Sequence, residues 1–197
     1  MKKSLSVLFF LVGLSIPAFS QTEYGIIGGI NFAYFNKVPP LADAISSLGY
    51  MIGGRASIGA NVFFEPAVEY TSYGSTITLD NSNGISENGT THKMRSNYIR
   101  IPLEAGAKVF DASPVNVEVR LGLAESVLVG FTDDAGTAPA FTKSQISTFR
   151  TGGILGGGVR VFFLKLDLEY EWAMTNFFKD IGSAKQSAFY IILGGNF

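Results

Sequence analysis

From Leu164 to Thr175 every second residue is apolar, and most of the residues between are charged. Leu164, Leu166, Leu168, Tyr170, Trp172 and Met174 are apolar, and Lys165, Asp167, Glu169 and Glu171 stand between them. Successive side chains on a strand point to opposite faces, so the pattern makes one greasy face and one ionic face. A helix would scatter the same charges around its circumference. The alternation recurs and predicts seven more strands: Tyr24 to Tyr34, about Tyr50 to Ile58, Val62 to Tyr73, Asn97 to Val109, Val115 to Val129, Phe149 to Val161, and Ser187 to Phe197. Pro66 removes a ladder donor, which predicts a bulge in the third strand. Glu125 falls on the apolar parity, so the fifth strand either bulges there or has left the lipid.

The connections alternate in length. Residues 35–48 form a long one, with a helical turn or two expected over Pro40 to Leu48 between an early proline and a stop at Gly49. Gly59-Ala60-Asn61 is a tight turn. Residues 74–96 read as the longest loop, although Ser75 to Leu79 could prolong the hairpin. Asp111-Ala112-Ser113-Pro114 is short, and residues 130–146 are long. The break before the seventh strand is forced only by a flip of parity, because Phe162-Phe163-Leu164 holds no turn residue. Residues 176–186 are long again. Long and short connections in strict alternation suit an eight-stranded antiparallel up-and-down transmembrane β-barrel, with long external loops and both termini on the periplasmic side.

The charged parity decides which face meets lipid. Arg55, Arg100, Lys108, Arg120, Arg150, Arg160 and Lys165 are matched by Glu65, Glu69, Glu104, Glu118, Asp167, Glu169 and Glu171. One charge on the lipid face at mid-bilayer costs about 2–4 kcal/mol, so the whole set is expected in a polar, charge-filled lumen. An eight-stranded barrel is just wide enough for side chains to fill it, so no wide pore is expected. Tyr24 and Tyr34 lie ten residues apart on the apolar face. With a strand tilt near 40° that is roughly 25 Å along the membrane normal, the spacing of two aromatic girdles. Tyr70, Trp172, Phe189 and Phe197 are assigned to the same girdles. The alternative, a soluble lipocalin-like barrel with the greasy face inside, uses the same period. The girdle spacing, the charge-poor apolar faces and the terminal Phe197 argue against it.

Composition then narrows the picture. Residues 1–20 read as a cleaved signal peptide: Lys2 and Lys3, a short apolar run from Leu5 to Ile16, and small residues before Gln21. The barrel domain is expected over 21–197. The chain has no cysteine and a formal charge of −1 without a basic run, which points away from disulfides, thiolate chemistry and nucleic acid. Several segments, GIIGGINFAYF, FEPAVEYTSYG, YIRIPLEAGAKVF, ILGGGVRVFF and LEYEWAMTNFF, resemble successive strands of PorT-like outer-membrane β-barrels. FYIILGGNF resembles the C-terminal signal through which such barrels engage the barrel-assembly machinery. The resemblance implies a small barrel in contact with outer-membrane lipid and lipopolysaccharide. The family's founding role in protein secretion is not implied, because the likeness is to strand patterns.

Chemistry is sparse. The single histidine, His92, sits near Asp80, Ser82, Ser86 and Ser96 in sequence, but a nucleophile–base–acid arrangement needs geometry that proximity does not supply. Asp167, Glu169 and Glu171 read as a same-face ladder opposite basic residues. Asp133-Asp134 reads as a solvated loop tip, Asn88-Gly89-Thr90 as a chance triplet, and Gly156-Gly157-Gly158 lacks the Lys-Ser/Thr of a phosphate loop. No cofactor and no catalytic residue are expected. The expected function is a structural or accessory barrel whose external loops bind a partner. A small-molecule conduit is the first alternative and a lipid A-modifying enzyme the second.

Overall fold

The computed structural model describes residues 21–35, 41–79, 91–134, 142–179 and 184–197, with the side chains of 41–46, 77–79, 91 and 92 outside that description. The expected signal peptide lies outside the described residues. Eight antiparallel strands close into one barrel: β1 (Thr22–Phe35), β2 (Leu41–Gly59), β3 (Val62–Leu79), β4 (Thr91–Ala112), β5 (Val115–Asp134), β6 (Phe149–Val161), β7 (Leu164–Ala173) and β8 (Gln186–Asn196). Each strand pairs with its sequence neighbours, and β8 closes on β1 from Gly25–Asn196 to Phe35–Gln186. The alternation sorts as the sequence requires. In β7 the charged residues Lys165, Asp167, Glu169 and Glu171 are buried inside, while Leu164, Leu166, Leu168, Tyr170 and Trp172 are exposed outside.

The register fixes the tilt. A walk from partner to partner leads from Phe32 through Phe189, Tyr170, Leu155, Leu121, Ala105, Phe64 and Ile58 to Thr22, ten residues from its start. A stagger of ten over eight strands corresponds to a tilt of about 40°. With that tilt, Tyr50, Tyr70, Trp172 and Phe189 fall within about 3 Å of one level, and Tyr24, Leu164 and Phe197 lie roughly 20 Å lower. All seven point outward, which makes an apolar band with an aromatic ring at each edge.

The structure corrects several expectations. The helical turn expected over Pro40 to Leu48 is absent from 41–48, where β2 runs from Leu41 and pairs with β3; Pro40 lies outside the described residues. Within 74–96, β3 runs on to Leu79, so Ser75 to Leu79 do prolong the hairpin, and residues 91–96 are strand instead of loop; residues 80–90 lie outside the described residues. Pro66 causes no bulge, because β3 and β4 keep one register from Glu65–Glu104 to Glu69–Arg100. Pro102 stands across the same ladder, so both missing donors fall in one stretch and no inserted residue is needed. Shifts occur instead at Leu41/Asp43, Ser47/Tyr50, Asn97/Tyr98 and Lys108/Phe110. Of the two expectations for Glu125 only the bulge is removed: it pairs with Ile101 in register and is exposed on the outer face, at the level of the upper girdle, where the strand leaves the lipid. The β6–β7 turn is Phe162-Phe163 itself, closed by the Val161–Leu164 pair, with Phe162 at φ 56°.

Candidate functional site

The interior is built in layers. At the end that carries both termini, Arg160 Nη1 donates to Glu23 Oε2 at 2.5 Å, and Asn196 Nδ2 donates to the same oxygen at 3.3 Å. Lys108 does not join the deep network: it sits half-buried at this mouth, 4.0 Å from Asp111, because β4 bulges just beyond it.

Above lies an ionic layer. Arg55 contacts Asp167 at 2.6 Å and Glu65 at 3.4 Å. Arg120 reaches Glu104, Glu118, Asp167 and Glu65 at 3.0–3.3 Å. Lys165 contacts Glu65 at 3.2 Å and also Glu118. One step higher, Arg100 holds Glu69 at 2.6 Å, Glu171 at 2.8 Å, and Glu169. Tyr190 donates to Glu171 at 3.2 Å, and its hydroxyl meets that of Tyr73. These groups come from β2, β3, β4, β5, β7 and β8, so the layer ties the wall together across the lumen. Small residues make the room: a Cβ on Gly158 would collide with the Asp167 carboxylate, and one on Gly106 with the Phe63 ring.

The upper layer is aromatic. Arg150 donates to Gln186 Oε1 at 2.9 Å and to its carbonyl at 2.7 Å, with its guanidinium over the rings of Tyr98, Tyr73 and Phe177 at 5.0–5.9 Å. Phe177 and Phe178 come from the β7–β8 connection and close this end. Phe177 packs edge-on against Phe35, with ring centroids 4.9 Å apart. The connection is clasped to the β5–β6 connection by an Ile146–Phe178 bridge, by Ser147 N to Phe177 O at 2.8 Å and by Lys179 N to Gln145 O at 3.0 Å. Ile146, Phe177 and Phe178 are fully buried.

Thirteen of the fourteen charges assigned to the lumen, all except Lys108, are therefore buried inside and joined in contacts. All six girdle residues, Tyr24, Tyr34, Tyr70, Trp172, Phe189 and Phe197, lie on the outer face. Tyr34 donates to the Tyr170 hydroxyl at 2.5 Å within the upper ring. The sequence reading missed the inward tyrosines Tyr73 and Tyr190, although both stand on the charged parity. His92 lies on β4 opposite Ile77, with its side chain outside the described residues, as are Asp80, Ser82 and Ser86; Ser96 is buried in the wall. Asp133 and Asp134 end β5. Among the described residues no three His, Cys, Asp or Glu side chains are grouped to hold a metal.

Comparison with known proteins agrees with this geometry. The family description "Outer membrane protein beta-barrel domain" matches residues 19–179. The chain belongs to that outer-membrane β-barrel family. No curated protein matches it in sequence. Among solved structures it is similar to Neisserial surface protein A, at 16% identity and TM-score 0.50, covering 88% of this chain and 97% of that one. It is also similar to the outer membrane protein OprG of Pseudomonas aeruginosa, at 11% identity and TM-score 0.50, covering 91% and 98%. At such identities the likeness is one of fold. The protein is thus a small eight-stranded barrel of the bacterial outer membrane, its greasy face on lipid and its charges within.

Proposed function

We propose that this barrel is an accessory outer-membrane protein that works through its external rim, as a binding surface for a partner, and not through a pore or a reaction. The observation that carries this reading is the filled interior. The ionic layer and the aromatic cap are packed side chain on side chain, while β2 to β5, at 18–22 residues, outrun β6 to β8, at 10–13. The surplus length raises a four-stranded wall beyond the upper girdle. Surface area is therefore invested outside the membrane and none in a conduit. The PorT-like likeness of the strand segments fits the same role, with residues 1–20 as the export signal, both termini periplasmic and the C-terminal strand read by the barrel-assembly machinery.

The test is photocrosslinking in intact cells from Thr132 and Asp134, which lie on the raised wall. A discrete crosslinked partner is expected. The reading falls if both positions crosslink nothing in cells while the purified protein passes solute in vesicle assays. Unchanged behaviour of His92→Ala is expected, since the proposed role requires no catalysis.

A further inference from the structure

The outward face of β3 to β5 changes chemistry just above the upper girdle. Tyr50 and Tyr70 sit side by side there, ring centroids 6.4 Å apart. The next position on the same parity is Ser72, wholly covered by its neighbours and in register with Tyr50 on one side and Asn97 on the other. Arg95 lies two residues farther along β4 and is exposed, yet its guanidinium bends back toward the membrane and donates to Ser72 Oγ at 3.2 Å. That holds the cation about 5 Å beyond the tyrosines, at the depth of the headgroup region. Lys143, also exposed, donates to the carbonyl of Val129 at 3.1 Å. Val129 is the extra residue of the β5 bulge, next to Gly130, which pairs with Asn97. The bulge thus brings a second cation to the same face as Arg95. Among the described residues, two exposed carboxylates of β5 stand apart from this pair of cations. Glu125 accepts from Thr151 Oγ1 at 2.9 and 3.0 Å on the β6 side, and Asp134 stands opposite Lys93, farther from the membrane.

We infer that the Arg95–Lys143 face docks the phosphorylated sugar headgroup of lipid A, the membrane end of lipopolysaccharide. Arg95 uses one of its nitrogens on Ser72, which leaves the rest of its fork for a phosphate oxygen pair. Lys143 supplies a second point charge, and the Tyr50–Tyr70 step offers an apolar surface beneath a sugar ring. The inference rests on the reading of the external rim as a binding surface and names its lipid component.

The experiment uses the full barrel purified in detergent, with three probes: bis-phosphorylated lipid A, dephosphorylated lipid A and phosphatidylglycerol. Retention is read by native mass spectrometry for wild type and the Arg95→Gln/Lys143→Gln double variant, each first shown to be folded by heat-modifiable gel migration. Wild type is expected to retain bis-phosphorylated lipid A in preference to the other two. The double variant is expected to bind it at least about tenfold more weakly, given the strength of charge-assisted hydrogen bonds. Arg95→Lys, which keeps the charge, is expected to recover part of the loss. Equal retention by wild type and double variant overturns the proposal, as does equal retention of phosphatidylglycerol or of dephosphorylated lipid A by wild type. Crosslinking from Thr132 and Asp134 in cells carrying the double variant separates the two readings: partner crosslinks that persist without lipid A retention leave the rim surface standing, and lost partner crosslinks with retained lipid A count against the rim reading alone.

Discussion

Arg100 shows how single residues hold this wall together. It is wholly buried, and its guanidinium serves carboxylates from both β3 and β7 while lying 4.6 Å over the Tyr190 ring. A buried ion pair adds little net stability over a well-packed apolar pair, but removing one partner leaves the other charged and dry. Arg100→Leu is therefore expected to cost about 3–5 kcal/mol, read by urea unfolding from lipid vesicles. Replacing Arg100, Glu69, Glu169 and Glu171 together by leucine or methionine is expected to cost far less, and a quadruple variant weaker than the single one would contradict this account. A second residue makes a cleaner probe. A Cβ on Gly153 would strike the indole of Trp172, the only tryptophan in the chain. Gly153→Ala is expected to push that ring off the wall into lipid, at about 1–3 kcal/mol, and to shift the tryptophan emission. Both residues bear on what the sequence could tell. Arg100 was legible as inward from parity alone. The contact of Gly153 with Trp172 was not, since it depends on the β6–β7 register, which no local pattern states.

The elements differ in legibility for a physical reason. Strand cores were readable wherever one face met lipid and the other the ionic lumen, because two such different surroundings enforce alternation. The outer ends of β2 and β4 were read as helix and loop, and that of β3 was left open, because above the membrane both faces become polar, as at Ser47, Ser75 and Thr76. Pairing continues there without a hydrophobic period to reveal it. The aromatic cap was invisible for a related reason: Ile146, Phe177 and Phe178 come from connections, where no period runs. Yet the cap shields the polar layer beneath it. Phe177→Ala deletes a fully buried ring and is expected to cost about 3–5 kcal/mol, most of it borne by the clasp. The checking measurement is hydrogen exchange. The amides of Ser147 and Lys179, which bond across the two connections, are expected to exchange much faster in the variant, while those of β1 and β8 near Ile27 and Ile192 stay protected. Uniform acceleration along the whole barrel would mean that the cap is no separate unit.

At the scale of the molecule, two independent seals occupy the lumen, and their order decides what the barrel can pass. The aromatic seal stands at the mouth away from the termini, and the ionic seal spans the middle, where Arg100, Arg120, Lys165 and Asp167 are all buried to 3% exposure or less. An ion crossing the barrel must part both. Opening the first exposes the second to water, but Arg120 and Lys165 still bind the facing carboxylates at 3.0–3.3 Å, which leaves no width for a hydrated ion. Wild type and Phe177→Ala are therefore both expected to give silent planar-bilayer traces, even though the variant is markedly less stable. Conduction is expected only when the middle layer is also emptied, as in Phe177→Ala combined with Arg120→Ala and Lys165→Ala, provided that the triple variant still migrates as a folded barrel. Regular open levels in wild type would return the conduit to first place among the readings of this protein. Open levels in Phe177→Ala alone would show that the aromatic cap is the sole gate, and that the charges beneath it line a path instead of closing one.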